Sequence, residues 1–307
     1  MTRDRWALEL EARARAHWTD ARTDELLRGK DVAVPPRDAA VLLRALGILN
    51  ADASMPAATV RKYFQINHMI GTLRRAVDDL RARHATVRIV DAGCGRSYLT
   101  MLLAWCGAHA WSHRVEVIGV DRNPDVIAEG ARRAALAGLD DRVRFVVGAV
   151  DQLAVADLGA IHAVIALHAC DTASCDAIAL GVGLGAELIA VAPCCQAELA
   201  RGWAALAADA DADGAFAAVW RTPHLRRELA AHTTDLLRTL LLRAAGYAVT
   251  ATEFIPAEHS RKNTLLRATR AAATPDADAA RQYRALVEAT GGVGLALAAR
   301  LGGTIDA

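Results

Sequence analysis

Two acids and two glycines at fixed spacing carry the first chemistry in this 307-residue sequence. In VRIVDAGCGRSYLTMLL, residues 87–103, a β-branched run ends in Asp91, and Gly93 and Gly95 follow one residue apart. A helix-like segment comes next. A second run, VEVIGVD, ends in Asp121, 30 residues beyond Asp91. The glycines permit a tight turn and close approach of a ligand to the backbone. The start of the following helix offers unpaired N–H groups. A dinucleotide site needs a third glycine so that pyrophosphate can sit on the helix N-terminus. Tyr98 occupies that position and crowds a phosphate, and Asp91 repels one. S-adenosylmethionine (SAM) has no phosphate and carries a cationic sulfonium and a free amino group. An acid at the first strand end favours it. An acid at the second can accept both ribose hydroxyls at once.

The elements that must position these residues follow from periodicity. Residues 59–84 place Ile66, Met69, Ile70, Leu73, Val77 and Leu80 at helical spacing. Strands are expected at 87–91, 115–120, 143–147, 160–167 and 187–192. Helices are expected at 97–108, 124–137, 173–184 and near 225–245. Two last strands, 247–255 and 263–268, are placed to form a hairpin. Strands alternating with helices predict an α/β fold with a doubly wound, Rossmann-like sheet of seven strands. Residues 5–50 read as helices broken at Pro35 and Pro36. RDAAVLLRALGIL reads as an amphipathic helix. The tail from 271 reads as helix interrupted at Gly291–Gly292. The organisation is a helical region 1–58, a central domain 59–270 and a helical tail 271–307.

On these residues the sequence resembles a class I SAM-dependent methyltransferase, over about 59 to 270. In that fold the stretch after the third strand covers the adenine. Here it is GAVD, 148–151, with Ala149 in place of the usual acid and Asp151 two residues on.

The ends of the fourth and fifth strands are unusual. They read ALHACDTASCDAI and AVAPCCQAEL. In a doubly wound sheet both ends face the ligand crevice. His-x-Cys after strand four and Cys-Cys after strand five resemble a methyltransferase subgroup. It includes eukaryotic tRNA 2′-O-methyltransferases of the acceptor stem and proteins related in name to ribosomal RNA adenine dimethylases. The match maps His168 and Cys170 onto the first motif and Cys194 and Cys195 onto the second. Leu167 stands where the tRNA enzymes tend to have lysine, and Gln196 where they tend to have histidine.

Three chemistries fit these residues. His168 or Asp171 can act as general base on a hydroxyl or amine, an imidazole titrating near pH 6.5. A cysteine can attack a pyrimidine ring at C6 and so activate C5. His168, Cys170, Cys194 and Cys195 could also bind zinc, but adjacent side chains of an extended chain point apart, so no metal is expected. Against all three, cysteine is among the most buried residues and often serves as packing.

Together these readings give a cofactor set of Asp91, Gly93, Cys94, Gly95, Asp121, Arg122, Val150 and Leu167. The catalytic candidates are His168, Cys170, Asp171, Cys194 and Cys195. Lys62 in RKYFQINHM, Gln196, and Lys262 in HSRKN form the substrate side. The expected activity is methyl transfer from SAM, with RNA as the favoured substrate class by resemblance. The alternatives are a small-molecule methyltransferase and a non-catalytic binding module on the same fold.

Bulk properties bound this reading. The formal net charge is +1, so nothing global draws the chain to nucleic acid or membrane. Any basic surface must be local. No apolar run approaches the ~18 residues that span a bilayer, and the N-terminal residues lack a signal-peptide pattern. Six cysteines are too few for a disulfide scaffold in a chain of this length. A cytoplasmic protein with reduced thiols is expected.

Overall fold

The structure, a computed structural model, describes residues 5–154, 158–167, 171–193, 196–253, 264–270 and 276–302. The chain divides into two compact units, Met1–Gly148 and Ala149–Ala307. The strands form one seven-stranded sheet in the order β3-β2-β1-β4-β5-β7-β6, the Rossmann-like arrangement expected from the alternating pattern.

The first unit opens with helices α1 (Arg5–His17), α2 (Asp20–Leu27), α3 (Ala40–Ala45) and α4 (Ala57–Arg81). α4 buries Ile66, Met69, Ile70, Leu73, Val77 and Leu80, the apolar stripe read from its 3.6-residue period. β1 (Thr86–Ala92) and β2 (Arg114–Asp121) pair in parallel with Asp91 opposite Gly119. α5 (Tyr98–Trp105) connects them, and α6 (Pro124–Ala137) leads to β3 (Val143–Val147), which pairs in parallel with β2. The ends of α6 are written in the sequence. The Asn123 side chain accepts from Asp125 N, Pro124 stands at the first turn, and Gly138 closes the helix at φ 65°. β1 and β2 are buried along most of their length, whereas β3 is largely accessible, as an outer strand should be.

The second unit contains β4 (Ala163–Ala166), α7 (Thr172–Gly183) and β5 (Leu188–Val191). β4 and β5 pair in parallel and are wholly buried. α8 (Glu198–Ala208), α9 (Ala217–Arg221) and α10 (Pro223–Ala244) follow. β6 (Tyr247–Glu253) and β7 (Thr264–Arg270) pair antiparallel, and β7 runs antiparallel to β5. α11 (Ala277–Ala289) and α12 (Ala296–Arg300) complete the unit, separated by the turn at Gly291 and Gly292.

Three expectations about elements are corrected. The amphipathic stretch after Pro36 is helical only over Ala40–Ala45. The helix expected over 97–108 stops at Trp105 and widens into a π-helical turn, Cys106–Ala110. A Cβ on Gly107 would lie 2.7 Å from the Val115 side chain, so this turn runs hard against β2. Helices α8 and α9 form where no element was expected. α8 buries Leu199 and Trp203, which its alanine-rich sequence obscures.

Among the described residues, no helix is long and apolar enough to cross a membrane.

Candidate active site

The turn after β1 is built as its sequence requires. Gly93 (φ 72°) and Gly95 (φ 51°) both take the left-handed region. The N–H groups of Gly93 and Cys94 donate to the carbonyl of Val120 at 2.8 and 3.0 Å, which fastens the turn to β2. Gly95 N donates to Asp121 Oδ2 at 3.0 Å, and Asn123 N donates to Asp121 Oδ1 at 2.9 Å. The acid at the end of β2 thus braces the glycine turn. A carboxylate offers about four acceptor positions. Two are used here, so each oxygen of Asp121 retains capacity for a further donor, such as a ribose hydroxyl. The neighbouring Arg122 is exposed.

Asp91 sits deeper, only 3% exposed. Its Oδ2 accepts from Thr100 Oγ1 at 2.5 Å. Loss of solvent pushes its carboxyl up to about 6, against the pull of the Thr100 hydrogen bonds. The Cys94 thiol is pushed up to about 12, first by burial and then by the nearby Asp91 carboxylate. It stays a thiol at neutral pH and packs as a small apolar group. A Cβ on Gly119 would lie 3.1 Å from Cys94 Sγ and 2.9 Å from the Phe145 ring, so that glycine makes room for the turn. Lys62 Nζ donates to Tyr98 Oη, and Tyr98 Oη donates to the carbonyl of Leu46 at 3.3 Å. Lys62 is therefore attached to the residue that replaces the third glycine.

In the second unit, Val150 and Leu167 are buried, the first in a 3-10 turn and the second just past β4. His168, Cys170, Cys194, Cys195 and Lys262 lie outside the described residues. Asp171, immediately after the first motif, has φ 53° and ψ −117°, a backbone state that residues with a Cβ rarely adopt. Its Oδ1 accepts from Ala197 N at 2.9 Å and Glu198 N at 3.0 Å. Its Oδ2 pairs with Arg201 at 2.9 Å. Burial raises this carboxyl, but Arg201 and the two backbone donors outweigh it, and the net shift is downward. Asp171 thereby ties the start of α7 to the start of α8.

Beneath lies a buried polar network. Arg238 on α10 is fully buried. Its Nη2 donates to the Asp171 carbonyl at 2.9 Å, and its Nη1 pairs with Asp235 Oδ1 at 3.2 Å. Gln196 Nε2 donates to Asp235 Oδ2 at 3.0 Å and to the Pro193 carbonyl at 3.3 Å. Burial pushes the Asp235 carboxyl up, with Arg238 and Gln196 pulling it back. One guanidinium therefore supports residues flanking both unusual motifs. Sequence reasoning missed Thr100, Arg201, Asp235 and Arg238. A signal existed for the last two. They stand three apart on the largely apolar buried face of α10, among Ala231, Thr234, Leu237, Leu241 and Leu242.

The model of a family described as "Methyltransferase domain" matches residues 61–202. No curated protein matches the chain. Among solved structures it is similar to cofactor-bound Rv0187 from MTB, at 18% identity over 81% of this chain and 94% of that one, TM-score 0.42. It is also similar to the SAH-bound Podospora anserina methyltransferase PaMTH1, at 13% identity over 82% and 94%, TM-score 0.44. An rRNA methylase from Streptococcus thermophilus is similar at 13% identity over 64% and 95%, TM-score 0.40. Residues 61–202 match a methyltransferase domain, and this match with the acid-bounded glycine turn supports a SAM-dependent methyltransferase with S-adenosyl-L-methionine as cofactor.

Proposed function

We propose that this methyltransferase acts on RNA, through a domain spanning 59–270 with helical additions at 1–58 and 271–307. The observation that carries this reading is the pairing of β4 with β5. Ala166 stands opposite Val191, so the segments LHACD and PCCQ leave the same end of adjacent parallel strands. Both motifs resemble those of the subgroup that includes acceptor-stem tRNA 2′-O-methyltransferases.

Residue roles follow from chemistry. Asp121 takes the ribose hydroxyls of SAM on its remaining lone pairs. The turn Gly93–Cys94–Gly95 lies against the nucleoside, and Asp91 supplies negative charge toward the cationic methionine end. Arg122, Val150 and Leu167 complete the cofactor walls. Bound there, SAM supplies an electrophilic methyl group. His168 serves as general base toward the acceptor. Cys170, Cys194 and Cys195 are assigned to the acceptor side by their resemblance to the subgroup motifs. Asp171 holds the two motif-bearing segments in register, a positioning role suited to its occupied carboxylate. Lys262 is assigned to substrate binding, Gln196 supports the PCCQ segment through its bond to Asp235, and Lys62 orders the turn through Tyr98. Holding acceptor and methyl donor in line supplies up to roughly 7–11 kcal/mol of barrier lowering.

The test is transfer of labelled methyl from SAM to RNA, protein and metabolite fractions of the host. Label is expected in RNA. Label confined to small molecules would replace RNA with a metabolite acceptor. SAM binding without transfer to any fraction would favour the non-catalytic module.

A further inference from the structure

The helical N-terminal region holds a cavity of about 530 Å³, within the ~300–1,000 Å³ range of ligand pockets. Its charge is one-sided. Arg22, Arg28, Lys30 and His17 line it against a single acid, Glu25. Arg22 Nη1 donates to the His17 carbonyl at 3.1 Å rather than to a carboxylate. Lys30 lies 4.5 Å from the centre of the Phe64 ring. Among the described residues, neither Arg28 nor Lys30 pairs with an acid. Elsewhere in the same unit the acids take up arginines, as Asp20 does Arg37 and Asp31 does Arg74.

Arg28 adds an independent sign. It closes α2 in the left-handed region, at φ 48° and ψ 44°, directly before Gly29. Glycine takes that position at lower cost, so Arg28 stands there against backbone preference. Two aromatic residues, Trp18 and Phe64, also line the cavity. Trp18 is buried with its indole N–H donating to the Ala53 carbonyl, and Phe64 is half-buried. Cations without acid partners beside aromatic faces suit a phosphodiester chain with unstacked bases.

We infer that this cavity is an RNA docking site, taking a single-stranded segment with its phosphates on Arg22, Arg28 and Lys30 and a base on Phe64. The inference rests on the RNA reading above and names where the substrate is held. α4 connects the two places. Val60 and Phe64 line the cavity, while Lys62 on the same helix holds Tyr98 at the cofactor turn. Docking requires no basic surface overall, consistent with a net charge of +1.

The experiment is fluorescence anisotropy of a labelled oligouridylate with the full chain across a salt series. The combined variant Arg22→Gln, Arg28→Gln, Lys30→Gln should bind at least tenfold more weakly. Its log affinity should depend on log salt less steeply, by about 2 for three phosphate contacts on a single strand. Phe64→Ala should weaken binding with the salt slope retained. SAM binding by calorimetry and the circular dichroism spectrum should match those of the unsubstituted protein, which excludes misfolding. Unchanged affinity and slope in the combined variant would overturn the site. Polyglutamate competing as well as the oligouridylate would assign the cavity to an acidic protein segment instead. Pocket-dependent binding without any methylated RNA would remove the acceptor reading and leave the site standing. Methylated RNA with an unaltered KM in the combined variant would do the reverse.

Discussion

Asp91 carries a burial cost in the free protein. An unfolded aspartate titrates near 3.8, whereas burial holds this one near 6. The folded state therefore binds more protons between those values, and stability falls as pH rises from about 4 to about 6. Above that range the ionised group costs on the order of 3 kcal/mol. Asp91→Asn keeps an acceptor for Thr100 and removes the charge. Thermal unfolding should show a higher Tm for this variant at neutral pH, with the gain shrinking toward pH 5, and calorimetry should show weaker SAM binding. A Tm no higher than that of the unsubstituted protein at neutral pH would contradict the assignment. Much of this was legible in the sequence, because an acid, two glycines and a second acid have few uses at strand ends. Thr100 was not, because its role depends on the turn that brings α5 back over Asp91.

At the scale of elements, α10 has the most concentrated task. It contributes Arg238 and Asp235 to the network that supports Asp171 and Gln196. Arg238→Ala removes one partner of a buried pair and leaves Asp235 uncompensated. Such losses cost about 3–5 kcal/mol, which urea unfolding measures directly. A loss under about 1 kcal/mol would mean that the network carries little. Replacing both partners, Arg238→Met with Asp235→Leu, should recover part of the stability, since apolar groups of similar volume substitute for buried ion pairs, but turnover should remain low because Asp171 loses its support. Element ends with local signals were read well. α6 has its asparagine cap, proline and closing glycine, and the expected strand 143–147 coincides with β3. The π-helical turn at Cys106–Ala110 had no local signal, since it follows from the approach of Gly107 to β2. α8 escaped notice because alanine blurs the contrast between its faces.

Over the whole chain, alternation of buried strands and helices was enough to predict a Rossmann-like sheet, and the hairpin of β6 and β7 accounts for its antiparallel edge. Composition could not reveal the cavity near α2, because a balanced charge total hides a local excess of cations. The division into two compact units also leaves no mark in the sequence pattern. The central claim is that the glycine turn and Asp121 together hold a sulfonium nucleoside. Calorimetry of the full chain with SAM, beside Asp121→Ala, tests it most directly. The account predicts one SAM per chain and at least a tenfold loss of affinity in the variant, with the fold intact by circular dichroism. Equal affinity in the two proteins, or no SAM bound by the unsubstituted chain, would contradict it.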